Sequence, residues 1–216
     1  MAEIDIDQKK VLHREDEAAS VNRDLLARND TRAFDVMGAT GSGKTMLIES
    51  IVDSVGEEIT IGAIAGDVTG TTDYDRFQKA GVPAYNLNTD SKCHLDAELV
   101  NRALQTLPLK QLGVVFIENV GNFICPANFP LGVEMNLVVI SVTEGEDTVL
   151  KQPKMFMQSD ALVINKVDIA PAVSVDPDKL EADYQRIKPD GQVFQTVASE
   201  GQGIPSLIDF LDLRSE

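Results

Sequence analysis

The stretch Gly38-Ala39-Thr40-Gly41-Ser42-Gly43-Lys44-Thr45 constrains this chain more than any other. It fits the pattern G-x-x-x-x-G-K-[ST], and its surroundings supply the context the pattern needs. Ala33-Phe34-Asp35-Val36-Met37 ahead of it reads as a short strand. Met46–Val52 after it reads as a helix that closes at Gly56. A strand, a glycine-rich turn and a helix in that order make an anion cradle. The glycines let successive backbone N–H groups turn inward with no Cβ in the way, and the helix N-terminus adds its partial positive charge. Gly41, Ser42 and Gly43 then offer backbone donors to phosphate, Lys44 a cation to the β- and γ-phosphates, and Thr45 a hydroxyl to Mg²⁺.

From Ala33 onward, apolar segments alternate with helical patterns. The segments are Ile59–Ala65, Ala84–Leu87, Leu112–Ile117, Asn136–Val142, Ala161–Ile164 and Val193–Val197, with helical patterns at Leu95–Leu107, Leu180–Ile187 and Ile204–Leu213. This grammar predicts an α/β fold, a mainly parallel sheet with helices on both faces. With 216 residues the chain suits one such domain, over 32–216, preceded by a helical extension over 1–31. In that extension Val11, Leu12, Val21, Leu25 and Leu26 recur at roughly helical spacing and predict a packed amphipathic helix, with His13 on its solvated side or at a cap.

The charge of −16, from 19 basic and 35 acidic residues, offers no basic face for a phosphate backbone, so no nucleic-acid role is expected. No apolar run is long enough to span a bilayer, and the N-terminus has no secretory pattern. The expected location is cytoplasmic. Two cysteines, Cys93 and Cys125, fit a reducing compartment.

Ligands of open α/β sheets bind beyond the carboxyl ends of the strands, so the residues just after each strand carry the chemistry. Asp67 follows the second strand and can hold Mg²⁺, directly or through water, or orient an attacking water. Glu118 follows the fourth, with Gly121 three positions on. A carboxylate and a glycine so spaced suit a metal contact or water-positioning group and a γ-phosphate sensor. Lys44, Asp67 and Glu118 are therefore the candidate catalytic residues. Asn165-Lys166-Val167-Asp168 follows the sixth strand and fits N-K-x-D. Asp168 can accept from guanine N1–H and N2–H₂, donors that adenine lacks, which selects GTP over ATP. Asn165 would tie this loop to the phosphate loop, the Lys166 stem would cover the base, and Ser199 would cap it.

Cys93-His94 precedes the helical pattern Leu95–Leu107, where a first-turn thiol would be held toward thiolate, and Cys125 lies four residues beyond Gly121. Two thiolates and an imidazole suit Ni²⁺ or Zn²⁺. From spacing alone the cysteines read more readily as small buried hydrophobes. A two-fold dimer would pool two sets of three ligands.

Six stretches, GATGSGKT, AGDV, CHLDAELV, ENVGNFICPANF, SVTEGEDT and NKVD, run from Gly38 to Asp168 in one order. In this the chain resembles the hydrogenase nickel-incorporation GTPases, the HypB-type maturation proteins, a dimerising branch of the phosphate-loop GTPases. The related urease accessory GTPases carry a Cys-Pro-His metal motif that is absent here. The resemblance implies GTP/GDP and Mg²⁺ at Gly41, Gly43, Lys44, Thr45, Asp67 and Glu118, with guanine read by Asn165, Lys166 and Asp168. It implies a Ni²⁺ or Zn²⁺ site of Cys93, His94 and Cys125 at a homodimer interface. The implied partners are a small nickel-binding accessory protein and a hydrogenase large-subunit precursor. Two departures stand out. Residues 1–30 contain no cysteine and one histidine, where many bacterial members carry a cysteine motif, and Asp90 stands where a glycine is expected. Two other functions fit parts of the pattern: a nucleotide-gated zinc-binding scaffold, and an ATP-dependent small-molecule kinase or ligase.

Overall fold

A computed structural model of the chain describes residues 2–89, 94–122 and 129–214. Each apolar segment becomes a strand: β1 (Arg32–Met37), β2 (Ile61–Asp67), β3 (Ala84–Asn88), β4 (Val114–Glu118), β5 (Met135–Ser141), β6 (Ala161–Asn165) and β7 (Gln192–Thr196). They form one sheet in the order β3-β2-β4-β1-β5-β6-β7, every neighbouring pair parallel. The inner strands β4 and β6 are buried at every residue, because parallel strands covered on both faces have no solvent side. The expected α/β architecture is the one found. The connecting helices are α1 (Ala2–Arg28), α2 (Lys44–Val55), α3 (Thr72–Lys79), α4 (Ala97–Thr106), α5 (Thr148–Lys151), α6 (Pro153–Gln158), α7 (Ala170–Val173), α8 (Pro177–Ile187) and α9 (Ile204–Phe210).

Side-chain alternation sorts these helices onto two faces. Phe34 and Val36 of β1 pack with Leu47, Ile48 and Ile51 of α2, Phe77 of α3 and Leu207 of α9. Ala33 points the other way, into a cluster with Leu26 of α1 and Val100 and Leu104 of α4. Met37, in the same alternation as Ala33, joins Val149, Phe156, Leu180 and Tyr184. So α2, α3 and α9 cover one face, while α1 and α4 cover part of the other beside α5, α6 and α8. Among the described residues no helix is long and apolar enough to cross a membrane.

One boundary and one packed face differ from the sequence reading. The helix expected from Leu95 starts at Ala97, because the Asp96 side chain caps it by accepting from Leu99 N at 2.8 Å. Cys93, the thiol expected to be held toward thiolate, lies outside the described residues. In α1 the packed face is Ala19, Asn22 and Leu26, whereas Val21 is 55% exposed. Asn22 takes a core position by donating to Ala97 O and Leu131 O at 2.9 and 2.8 Å, which hydropathy patterning does not foresee. The side chains of Val11, Leu12 and His13 lie outside the described residues.

Candidate functional site

The carboxyl ends of the strands meet around a cavity of about 450 Å³, lined by the phosphate loop, Asp67, Asp73, Arg76, Glu118, Gly121, Asn165, Lys166 and Ser199. The loop leaves β1, which lies between β4 and β5, so carboxylates from one half of the sheet and the N-K-x-D loop from the other converge on it. Gly43 caps α2 with φ 102°, and a Cβ there would stand 2.2 Å from Asn165 Nδ2. Only glycine meets both demands. Lys44 is buried. Its ammonium donates to Gly38 O at 3.2 Å and Ala39 O at 3.1 Å, and lies 4.0 Å from Glu118 Oε1. Burial lowers its pKa, and the charges of Glu118 and Asp73 oppose that shift.

Thr45 Oγ1 lies 2.9 Å from Asp73 Oδ1 and 2.9 Å from Glu118 Oε1. One hydroxyl proton cannot serve both acceptors at full strength. The conflict eases if one carboxyl is protonated, and Glu118 is pushed up to about 7 by burial, with Lys44 opposing and Asp73 adding to the shift. Glu118 Oε2 is buried without a hydrogen-bond partner among the described residues. Three hard oxygen donors in contact, one group carrying an unsatisfied oxygen, fit a Mg²⁺ ion. Asp67 stands on the cavity wall with Oδ1 turned back to accept from Val68 N at 2.6 Å. Among the described residues no three His, Cys, Asp or Glu side chains cluster closely enough to hold a metal by themselves, so Asp67 is not a third carboxylate beside Asp73 and Glu118.

The N-K-x-D loop is fastened to the phosphate loop at two points. Asn165 Nδ2 donates to Ser42 O at 3.0 Å, and Lys166 Nζ donates to Gly41 O at 2.7 Å. Asn165 Oδ1 in turn accepts from Thr196 Oγ1 and Ala198 N, both at 3.1 Å, which brings in the loop carrying Ser199. Lys166 adopts φ 62°, a left-handed turn that swings its stem back over the phosphate loop. Asp168 sits in the next turn with its side chain exposed. Glu144 closes a further turn by accepting from Ser141 N at 3.1 Å, and burial raises its pKa to about 7 while Lys44 and Lys166 oppose.

Gly121 lies against the phosphate loop. Thr40 Oγ1 donates to its carbonyl at 3.3 Å, a Cβ at Gly121 would stand 2.1 Å from that hydroxyl, and Gly38 pairs with Asn122 in an antiparallel bridge.

These features have close counterparts. The family described as CobW/HypB/UreG, nucleotide-binding domain, matches residues 33–195. The probable hydrogenase maturation factor HypB of Methanocaldococcus jannaschii is 45% identical over 204 residues, 94% of this chain and 92% of that protein. This chain belongs to the HypB branch of the CobW/HypB/UreG family. Crystal structures of HypB agree. That from Archaeoglobus fulgidus superposes with a TM-score of 0.87 at 40% identity, covering 93% of this chain and 98% of that one. HypB from Helicobacter pylori, solved in complex with nickel, gives 0.88 at 31% identity, covering 94% and 98%.

Set beside its HypB relatives, the chain lines one cavity with Gly41, Gly43, Lys44, Thr45, Asp67, Glu118, Gly121, Asn165, Lys166 and Ser199. Ser42 is buried within the loop with its carbonyl held by Asn165, and Asp168 follows Lys166 by two residues without lining the cavity. Of the soft-metal candidates, Cys93 and Cys125 lie outside the described residues. His94 is described, its ring stacked on Phe129 with centroids 3.7 Å apart. Sequence reasoning missed Asp73 and Arg76, both on α3. Asp73 touches the Thr45 hydroxyl, and Arg76 lines the cavity while its guanidinium holds both Glu49 oxygens. Their spacing, one helical turn apart on a segment following a candidate switch strand, was the available signal.

Proposed function

We propose that this protein is a GTP-hydrolysing metallochaperone that delivers nickel during maturation of a nickel-iron hydrogenase. The observation that supports the reading is the double fastening of the N-K-x-D loop to the phosphate loop through Asn165 and Lys166. Asp168 accepts from guanine N1–H and N2–H₂, the Lys166 stem covers the base and Ser199 caps it. Phosphate draws Lys44 away from the Gly38 and Ala39 carbonyls, while the backbone N–H groups of Gly41 to Thr45 take up the oxygens. Thr45, Asp73 and Glu118 would hold Mg²⁺, with Asp67 reaching it through water; bound there, the ion neutralises charge on the β- and γ-phosphates. Asp67 and Glu118 orient the attacking water. The Gly121 N–H meets the γ-phosphate and is released with it.

Nickel is the cargo. Cys93, His94 and Cys125 take it up at the interface of a homodimer favoured by GTP, and hydrolysis loosens that site. A small nickel-binding accessory protein and a hydrogenase large-subunit precursor are the partners, and the cytoplasm is the place of action. The HypB relatives and the nickel complex of the Helicobacter pylori protein support this reading.

The test is calorimetric titration with Ni²⁺ in the presence of GDP or a non-hydrolysable GTP analogue, with mass followed by light scattering and GTP competed against ATP. Guanine preference, a nucleotide-dependent nickel affinity and a dimer favoured by the analogue are expected. Identical nickel isotherms would replace the delivery role with a scaffold that recruits another carrier, and equal competition by ATP would remove the GTP assignment.

A further inference from the structure

An asparagine side chain buried in a protein must satisfy two donors and a carbonyl, and Asn119 does so with groups from three separate segments. Its Nδ2 donates to the two Asp35 oxygens at 3.2 and 3.3 Å. Its Oδ1 accepts from Leu95 N at 3.2 Å and from Val120 N at 3.0 Å. Its own backbone N–H is held by Val36 O at 3.0 Å. Asn119 is 1% exposed and Asp35 2%, so none of these bonds competes with bulk water. The orientation of the amide is forced. Turned over, its NH₂ would face two backbone N–H donors and its carbonyl a carboxylate.

What these partners adjoin gives the arrangement its meaning. Asp35 lies on β1, three residues ahead of the first loop glycine. Val120 adjoins Gly121, whose carbonyl is held by Thr40 of the phosphate loop. Leu95 adjoins His94 and is fully buried against the end of β2, where a Cβ at Gly66 would stand 2.9 Å from Leu95 Cδ1. The Glu118–Gly121 segment reaches Cys125 along the chain. His94 precedes α4, and its neighbour Leu95 is joined to the nucleotide side by the Asn119–Leu95 bond.

We infer that Asn119 is a positioning residue that makes the Glu118–Gly121 segment and the His94-Leu95 backbone move as one, so that the state of the phosphates reaches the His94 imidazole. Asp35 anchors the amide to the rigid central strand and fixes which way it faces. Sites coupled through a two-state element change each other's affinity, typically by about 5- to 150-fold. The inference rests on the nickel-delivery reading above and adds the residue that transmits it.

The experiment compares nickel affinity with GDP and with a non-hydrolysable GTP analogue in the wild type, Asn119→Ala, Asn119→Asp and the exchange Asp35→Asn/Asn119→Asp. Ser159→Ala, a buried change beside Tyr184 and far from the cavity, controls for general loosening. The wild-type affinity ratio is expected to be about fivefold or more. It should collapse to below about twofold in Asn119→Ala and in Asn119→Asp. The exchange, which puts the donor at 35 and the acceptor at 119, should restore it, and Ser159→Ala should leave it intact. If the wild-type ratio is itself one, the delivery reading fails and the inference with it. If the wild type shows a ratio that both Asn119 variants keep, the inference alone is wrong. A collapse that Ser159→Ala reproduces, or that the exchange does not reverse, overturns the inference in favour of loss of packing.

Discussion

In the proposed function a single carboxylate, Asp168, chooses the nucleotide. Asp168→Asn loses two charge-assisted hydrogen bonds worth about 1.5–3 kcal/mol each, so the preference for GTP over ATP should fall by about a hundredfold or more in a competition assay. At the other end of the nucleotide, Asp73→Asn removes a charge from the Thr45 hydroxyl. It should raise the Mg²⁺ concentration needed for half-maximal GTP hydrolysis by about tenfold, one charge-assisted contact being worth about 1.5–3 kcal/mol. The two residues differ in how they were readable. Asp168 belongs to a four-residue motif whose members are neighbours in sequence. Asp73 reaches Thr45 only because α3 docks against α2, and nothing in the local sequence encodes that docking. Asn119 and Asp35 were invisible for the same reason, since their bond joins adjacent strands far apart along the chain.

Among elements, α3 is held to α2 by two rungs a turn apart, Thr45–Asp73 and Glu49–Arg76. The second is partly exposed, and such pairs contribute about 1 kcal/mol or less. Glu49→Gln should therefore leave the thermal midpoint nearly unchanged while amide exchange in α3 quickens, measured by hydrogen exchange of the nucleotide-free protein. On the opposite face, α1 depends on Asn22. Asn22→Ala strands two buried carbonyls, Ala97 O and Leu131 O, at a cost of about 1–3 kcal/mol. A domain of this size then loses about 2–4 °C of thermal midpoint per kcal/mol, which calorimetry would register. The same asparagine explains why the α1 contact face was misread. Apolar spacing points to Val21, but the helix turns a polar residue inward because it has partners there. At α4 the helical pattern was right and its start was not, since the cap is set by Asp96, two residues inside the apolar pattern.

At the scale of the whole molecule, the alternation of apolar strands and amphipathic helices was enough to foresee a parallel sheet covered on both faces. Strand order was not readable, because it follows from which helix packs on which face. Burial at the centre of the sheet also sets a pH dependence. Asp35, faced by Asn119 and Lys44, has its pKa raised by burial from an ordinary 3.8 to about 7, and Glu144, faced by Lys44 and Lys166, from 4.5 to about 7. A carboxyl that holds its proton more tightly folded than unfolded stabilises the fold at low pH. That contribution is lost as pH rises through the folded value. The nucleotide-free protein should therefore unfold at lower temperature near about pH 8 than near about pH 5.5, and Asp35→Asn should flatten part of that slope in a thermal melt followed by circular dichroism. The fastening of Lys166 and Asn165 to the phosphate loop has one more consequence, for synthesis. A ribosome-bound chain acquires its phosphate loop early, but the side chains that seat this loop lie more than 120 residues later and are themselves held by Thr196 and Ala198. Nucleotide competence thus arrives last, and a truncated or half-made copy has a loop but no grip.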